Sequence, residues 1–192
     1  APEKRNNGPK GWRWEGLTRK DVTLPSNLKK AGYHTIFAGK AHFAPTGFEG
    51  ENPTNLGFDV NIAGCSFGQP GSYFGEDGYG NLNPRRKKRA VPGLEKYHKT
   101  DTFLSEAITI EAKAAIDQSL KKEKPFFLYM SHYAVHSPFN SDARFADNYK
   151  NSKKPKNAQA YATLIEGIDK SLGDLMDHVT KKGVAENTLI LF

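Results

Sequence analysis

With 192 residues, 37% apolar and 26% charged, the chain can form one domain with a real core or a large piece of a bigger one, and no apolar run approaches the length of a membrane span. A net charge of +7 favours anionic partners: nucleic acid, anionic membrane, or sulfated or phosphorylated small molecules and polysaccharides. Charge alone does not choose among these. The single cysteine, Cys65, excludes an intrachain disulfide.

Residues 1–20 are polar, lack the apolar centre of a signal peptide, and read as an irregular lead-in carrying Trp12 and Trp14. Thr23 then offers a cap, Pro25 an early-turn proline and Gly32 a C-terminal glycine, which predicts a short helix over 23–32. A short buried strand comes next over 33–38, with Gly39, Lys40, Ala41 and His42 at its end; 56–63 reads as a second strand or edge segment. Glycines interleaved with Phe67, Tyr73, Phe74 and Tyr79 predict an excursion without regular structure over 64–80. It is either a self-packed surface loop or one whose tyrosines stack on sugar rings. Residues 84–89, P-R-R-K-K-R, form a basic cluster, open between a nuclear or nucleic-acid signal and a solvated loop facing an anionic substrate. Together 64–100 form one long Gly-rich and basic excursion.

Capping side chains at Thr100, Asp101 and Thr102, with Phe103, Ala107, Ile110 and Ala114 at helical spacing, predict a helix over 102–122. In 125–139, P-F-F-L-Y-M-S-H-Y-A-V-H-S-P-F, the apolar run from Phe126 to Met130 predicts a strand buried on both faces. Open α/β sheets bind ligands beyond the carboxyl ends of their strands, where His132 and His136 sit. A polar loop with a short helix over 140–157 precedes a helix over 158–182, with Leu164, Ile168, Leu172, Leu175 and Val179 on one face and Gly183 closing it. Residues 187–192 begin another apolar strand. The order predicts an α/β fold of helices layered on a central mixed, mostly parallel sheet, incomplete at both ends.

Lys40 and His42 lie two apart, so in extended backbone both point the same way; an ammonium beside an imidazole suits anion binding and proton transfer. His132 and His136 have the spacing of zinc ligands on a helix, but Pro138 and the apolar run argue against a helix there. His136, ahead of Ser137 and Pro138, is placed as a hydrogen-bonding or acid/base group in a tight turn. His132 reads as structural, and His34, His98 and His178 as structural or solvated. Neither a Walker loop, a Gly-x-Ser-x-Gly elbow nor a His-Glu-x-x-His motif is present.

Four blocks, T-L-P-S-N-L-K-K-A-G-Y-H-T-I-F-A-G-K-A-H-F, N-L-G-F-D-V-N-I-A-G, F-F-L-Y-M-S-H-Y-A-V-H-S-P-F, and Y-A-T-L-I-E-G-I-D-K-S-L-G-D-L-M-D-H-V followed by N-T-L-I-L-F, together span 22–192. In sequence and order they resemble the type I, arylsulfatase-like sulfatases of the alkaline phosphatase superfamily. The resemblance implies that 1–192 belongs to one catalytic domain of alkaline-phosphatase-like fold, whose full-length enzyme hydrolyses a sulfate ester; the basic cluster and the aromatic Gly-rich loop favour a carbohydrate slightly over a small aryl sulfate. The resemblance also implies that Lys40 and His42 contact the sulfate and the nucleophile, and that His136 contacts the sulfate or the leaving-group oxygen. The catalytic candidates are thus His42 and His136, and the sulfate-binding ones Lys40 and His136. Ala41 stands where the family usually has Trp.

The family's formylglycine nucleophile arises within Cys/Ser-x-Pro-x-Arg, which this chain lacks; Cys65, in C-S-F-G-Q, does not fit. Its divalent cation, usually calcium, is held by an early Asp-Asp pair and a later Asp-Asn pair, which the resemblance places ahead of residue 1 and just after the block N-T-L-I-L-F, so no metal ligand is assigned and the fragment is expected to be inactive alone. The alternatives are a phosphoester or phosphonate hydrolase of the same superfamily, or a non-catalytic anion or glycan binder. The implied partner is an anionic sulfated small molecule or saccharide, with no nucleic acid and no membrane span; the oligomeric state stays open. The implied location is periplasmic, extracellular or lysosomal, although the chain carries no export signal.

Overall fold

The computed structural model describes residues 15–192, and the expectation for Trp12 and Trp14 lies outside the described residues. The first helix, α1 (Leu24–Lys30), begins where a capping box allows: Thr23 Oγ1 accepts from the Ser26 amide, and Ser26 Oγ accepts from the Thr23 amide. Strand β1 (His34–Gly39) comes next and is buried along its whole length. It pairs in parallel with β2 (Val60–Ile62) on one side and β3 (Phe126–Ser131) on the other, giving the order β2-β1-β3. Helices α2 (Leu104–Lys121) and α3 (Lys156–Lys181) form the layers beyond it.

The period-two geometry of β1 divides the core. Ile36 and Ala38 face a large cluster with Ile62, Leu104, Ala107, Ile108 and Leu164, whereas Phe37 faces the opposite side with Phe58 and the partly buried Phe43 and Phe127. Phe37 meets Phe43 and Phe58 edge-on and stacks on Tyr129. Helix α3 packs on α2 with a polar seam: Thr109 and Ser171 share a hydroxyl hydrogen bond of 2.6 Å, and Asp117 bonds His178 and Lys182, each at 2.9 Å.

Both pairings in the described sheet are parallel, in keeping with a mostly parallel sheet. Several expectations are corrected. The run from Phe126 to Met130 is half-buried, with Tyr129 46% exposed, and β3 pairs only with β1 among the described residues; the strand buried along its whole length is β1. The second strand shrinks from 56–63 to β2, preceded by a 3-10 turn over Pro53–Leu56. On α2 the buried face runs through Leu104, Ile108, Ala112, Ala115 and Ile116, leaving Ile110 exposed, and the N-cap is Phe103 without a side-chain bond. Thr100 Oγ1 bonds instead to the Tyr97 carbonyl and to Thr102. Residues 187–192 do not form a strand: a 3-10 turn ends at Asn187, and Leu189, Leu191 and Phe192 are exposed, without a ladder partner among the described residues.

The excursion 64–100 lacks long elements, as expected, but it is not a platform for sugars. Tyr73 and Tyr79 are fully buried, their hydroxyls donating to the backbone carbonyls of His136 (2.8 Å) and Thr102 (3.1 Å). Tyr73 also stacks on Phe103, and its carbonyl accepts from the Leu104 amide at the start of α2.

Candidate active site

The carboxyl ends of the three parallel strands lie side by side, and the segments leaving those ends build the site. Between β1 and β3 the ladder runs to its last step: Gly39 pairs with Ser131, and the Lys40 amide donates to the Ser131 carbonyl at 2.6 Å. Gly39 has φ +107°, and a Cβ there would lie 1.7 Å from that carbonyl oxygen, so this approach of the two strand ends requires glycine. Beyond it the chain leaves extended geometry. His42 adopts φ +55° and its amide donates to the Cys65 carbonyl after β2. The alternation expected to align Lys40 with His42 therefore does not operate, yet the two remain coupled through space: partial desolvation holds the His42 imidazole below its ordinary pKa, and the charges of Lys40 and His136 push the same way.

His42 and His136 come together in one cleft of about 260 Å³, lined also by Ser66, Phe67, Gly68, Gln69 and Arg89. Lys40 stands beside this cleft without lining it. The floor under His42 is Gly68, where a Cβ would lie 2.7 Å from the imidazole Nδ1. His136 is held from three directions. Its amide donates to the Tyr133 carbonyl at 2.9 Å, its carbonyl accepts from Tyr73, and its Nδ1 lies 3.0 Å from the Ser137 carbonyl and 3.3 Å from Ser137 Oγ. A carbonyl only accepts, so the contact at 3.0 Å places the proton on Nδ1 and leaves Nε2 to exchange protons with a ligand.

The relay continues outward. Gln69 Nε2 donates to Ser137 Oγ at 3.0 Å, and Arg89 donates through Nη1 to Gln69 Oε1. Arg89, Gln69, Ser137 and His136 thus form one connected wall. Sequence reasoning did not find Gln69, Ser66 or Ser137, which carry no motif. It flagged Arg89 only as one of the basic residues in 84–89; of these, Arg86 is taken up by the Gly71 carbonyl at 2.8 Å, and Arg89 alone lines the cleft.

The other histidines sit elsewhere. His34 is buried with Nδ1 2.7 Å from Ser119 Oγ, and His178 ties α3 to α2. His132 lies just past the end of β3 with a buried Nδ1 lacking a hydrogen-bond partner, and burial pushes its pKa down to about 4. Cys65 is buried, its Sγ 3.4 Å from Tyr133 Oη; burial raises the thiol pKa, which disfavours the thiolate a nucleophile needs. Among the described residues no group of three or more His, Cys, Asp or Glu side chains converges to hold a metal ion, so these residues do not fit a calcium site by themselves. No described helix is long and apolar enough to cross a membrane.

The sulfatase family model matches residues 2–192. The chain belongs to the sulfatase family. As a sulfatase it is 26% identical over 181 residues to arylsulfatase J of Mus musculus, covering 90% of this chain and 28% of that protein. It is also 26% identical over 192 residues to the N-acetylgalactosamine-6-sulfatase of the same species, covering 92% and 33%. The sulfatase chain therefore spans about a third of the length of these relatives. Among solved structures, Ps i-CgsB in complex with k-i-k-neocarrahexaose superposes with a TM-score of 0.69 at 21% identity, over 90% of this chain and 39% of that one. PsFucS1 sulfatase from Pseudoalteromonas sp. gives 0.52 at 19% identity, over 85% and 35%. The helices packed on a parallel sheet are thus those of an alkaline-phosphatase-like sulfatase fold.

Proposed function

We propose that the full-length protein is a sulfuric ester hydrolase acting on a sulfated saccharide, and that this chain contributes the leaving-group side of its active site. The observation that carries the reading is the convergence of His42, His136 and Arg89 on one cleft at the carboxyl end of the sheet, with the Lys40 charge beside it. In the proposed reaction a doubly protonated His136 gives its Nε2 proton to the saccharide oxygen, which leaves with the bonding pair as its bond to sulfur breaks, and water supplies the oxygen of the released sulfate and the proton that restores His136. Lys40 offsets the sulfate charge. His42, neutral because its pKa is depressed, accepts a hydrogen bond from the attacking hydroxyl.

The attacking formylglycine and the divalent cation, expected to be calcium, belong to the proposal as contributions from outside these residues, as does an exported location. Support for a saccharide comes from the relative named N-acetylgalactosamine-6-sulfatase and from the oligosaccharide-bound neighbour. In the full-length protein, His136→Ala is expected to lower kcat for a sulfated saccharide about 10²- to 10⁴-fold. It should lower kcat far less for an aryl sulfate whose leaving group needs no proton. Equal effects on the two substrates would remove His136 as the acid, and absence of sulfate release from either by the unsubstituted protein would remove the hydrolase reading.

A further inference from the structure

Arg89 is held both at its backbone and at its guanidinium. Its carbonyl accepts from the Gly71 amide at 2.6 Å, fixing the backbone, and its guanidinium is held by Gln69, which is itself fixed on Ser137. Gln69 uses both ends of its amide in this relay, so its orientation is set. A guanidinium presents five donors in a planar fork, and Gln69 takes one. Among the described residues neither Arg89 nor its cluster neighbours Arg85, Arg86, Lys87 and Lys88 pairs with a carboxylate, and of these Arg89 alone lines the cleft. A cation fixed at a cleft wall, with donors to spare and no counter-charge, is prepared for an anion that arrives with the ligand. The same cleft already has Lys40 beside it for one anion.

We infer that Arg89, positioned by Gln69, binds a second anionic group of the ligand, a sulfate or a carboxylate on the sugar carrying the scissile sulfate or on the adjacent sugar, so that the cleft selects polyanionic saccharides. This rests on the saccharide reading above, and binding measurements separate the two. Affinities are measured by titration calorimetry on the full-length protein for neocarrageenan tetrasaccharides carrying one or two sulfates per disaccharide. The carboxylate arm uses a sulfated uronate disaccharide and its methyl ester.

The unsubstituted protein should bind the more anionic member of at least one pair more tightly. Arg89→Gln should weaken that member roughly ten- to hundredfold and its less charged counterpart much less. Arg89→Lys should fall between, because charge remains while the fork is lost. Gln69→Ala should weaken the same member in the same direction, with the fold intact by circular dichroism. Loss confined to the sulfate pair or to the uronate pair identifies the group. Equal affinity for both members of each pair, equal losses in Arg89→Gln, or no binding of any probe would overturn the inference. Sulfate release by a protein indifferent to Arg89 would leave the hydrolase reading standing, and a charge-selective, Arg89-dependent binder that releases no sulfate would do the reverse.

Discussion

Replacing Gly68 by Ala puts a methyl carbon 2.7 Å from His42 Nδ1, closer than van der Waals contact permits, so the imidazole must swing away. Gly68 has no positive φ, so the backbone tolerates the change and the cost falls on placement of the ring. Displacements of about 1 Å at a reacting centre can cost about 10²-fold. Gly68→Ala should therefore lower turnover by roughly that factor in the full-length protein with little change in Tm; equal turnover would mean that the position of His42 is unimportant. At His132 the consequence is for stability. Between pH 6.5 and about 4 the unfolded chain binds a proton at this ring and the folded chain does not. Stability is complete above pH 6.5 and falls as pH drops through that window, by ~3 kcal/mol in full from this group. His34, whose pKa is also lowered by burial and then by nearby Lys122, adds in the same direction. Urea unfolding of His132→Phe at pH 7 and pH 4.5 should show a smaller difference between the two pH values than the unsubstituted protein does.

Among the elements, those encoded by local chemistry were legible in the sequence. The cap at Thr23 and the proline beside it fix the start of α1, and the apolar face of α3 through Leu164 and Val179 is the one that packs. Features decided by partners were not. Phe126 to Met130 is as apolar as a central strand, but its burial depends on how many strands flank it, which composition does not encode. On α2, Ile110 fits the helical period as well as Ile108 does, and the approach of the sheet to one side of the helix decides which is covered. The same division holds for the candidate site. His136, His42 and Lys40 were legible as candidates from strand ends and from a family resemblance, but of the three only the two histidines line the cleft. Gln69 and Ser137 come from segments 68 residues apart, and only the fold makes them neighbours.

Across the whole molecule, the 64–100 excursion and the turn after β3 are braced against each other. Tyr73 reaches the His136 carbonyl, the Tyr73 amide donates to Asn140 Oδ1 at 3.1 Å, and Gln69 reaches Ser137. Neither segment can open alone without leaving buried polar groups unpaired. Their amides should exchange with solvent as one cooperative unit, and Tyr73→Phe should raise exchange in 133–140 as well as in 71–80, measured by hydrogen exchange. Independent exchange of the two segments would contradict this. The hydroxyl of Tyr73 gives the bracing a kinetic meaning: an anion that grips Arg89 also slows the local opening that would release His136. Occupancy of the rim then becomes measurable as amide protection at the turn that carries His136, on a timescale far slower than binding itself.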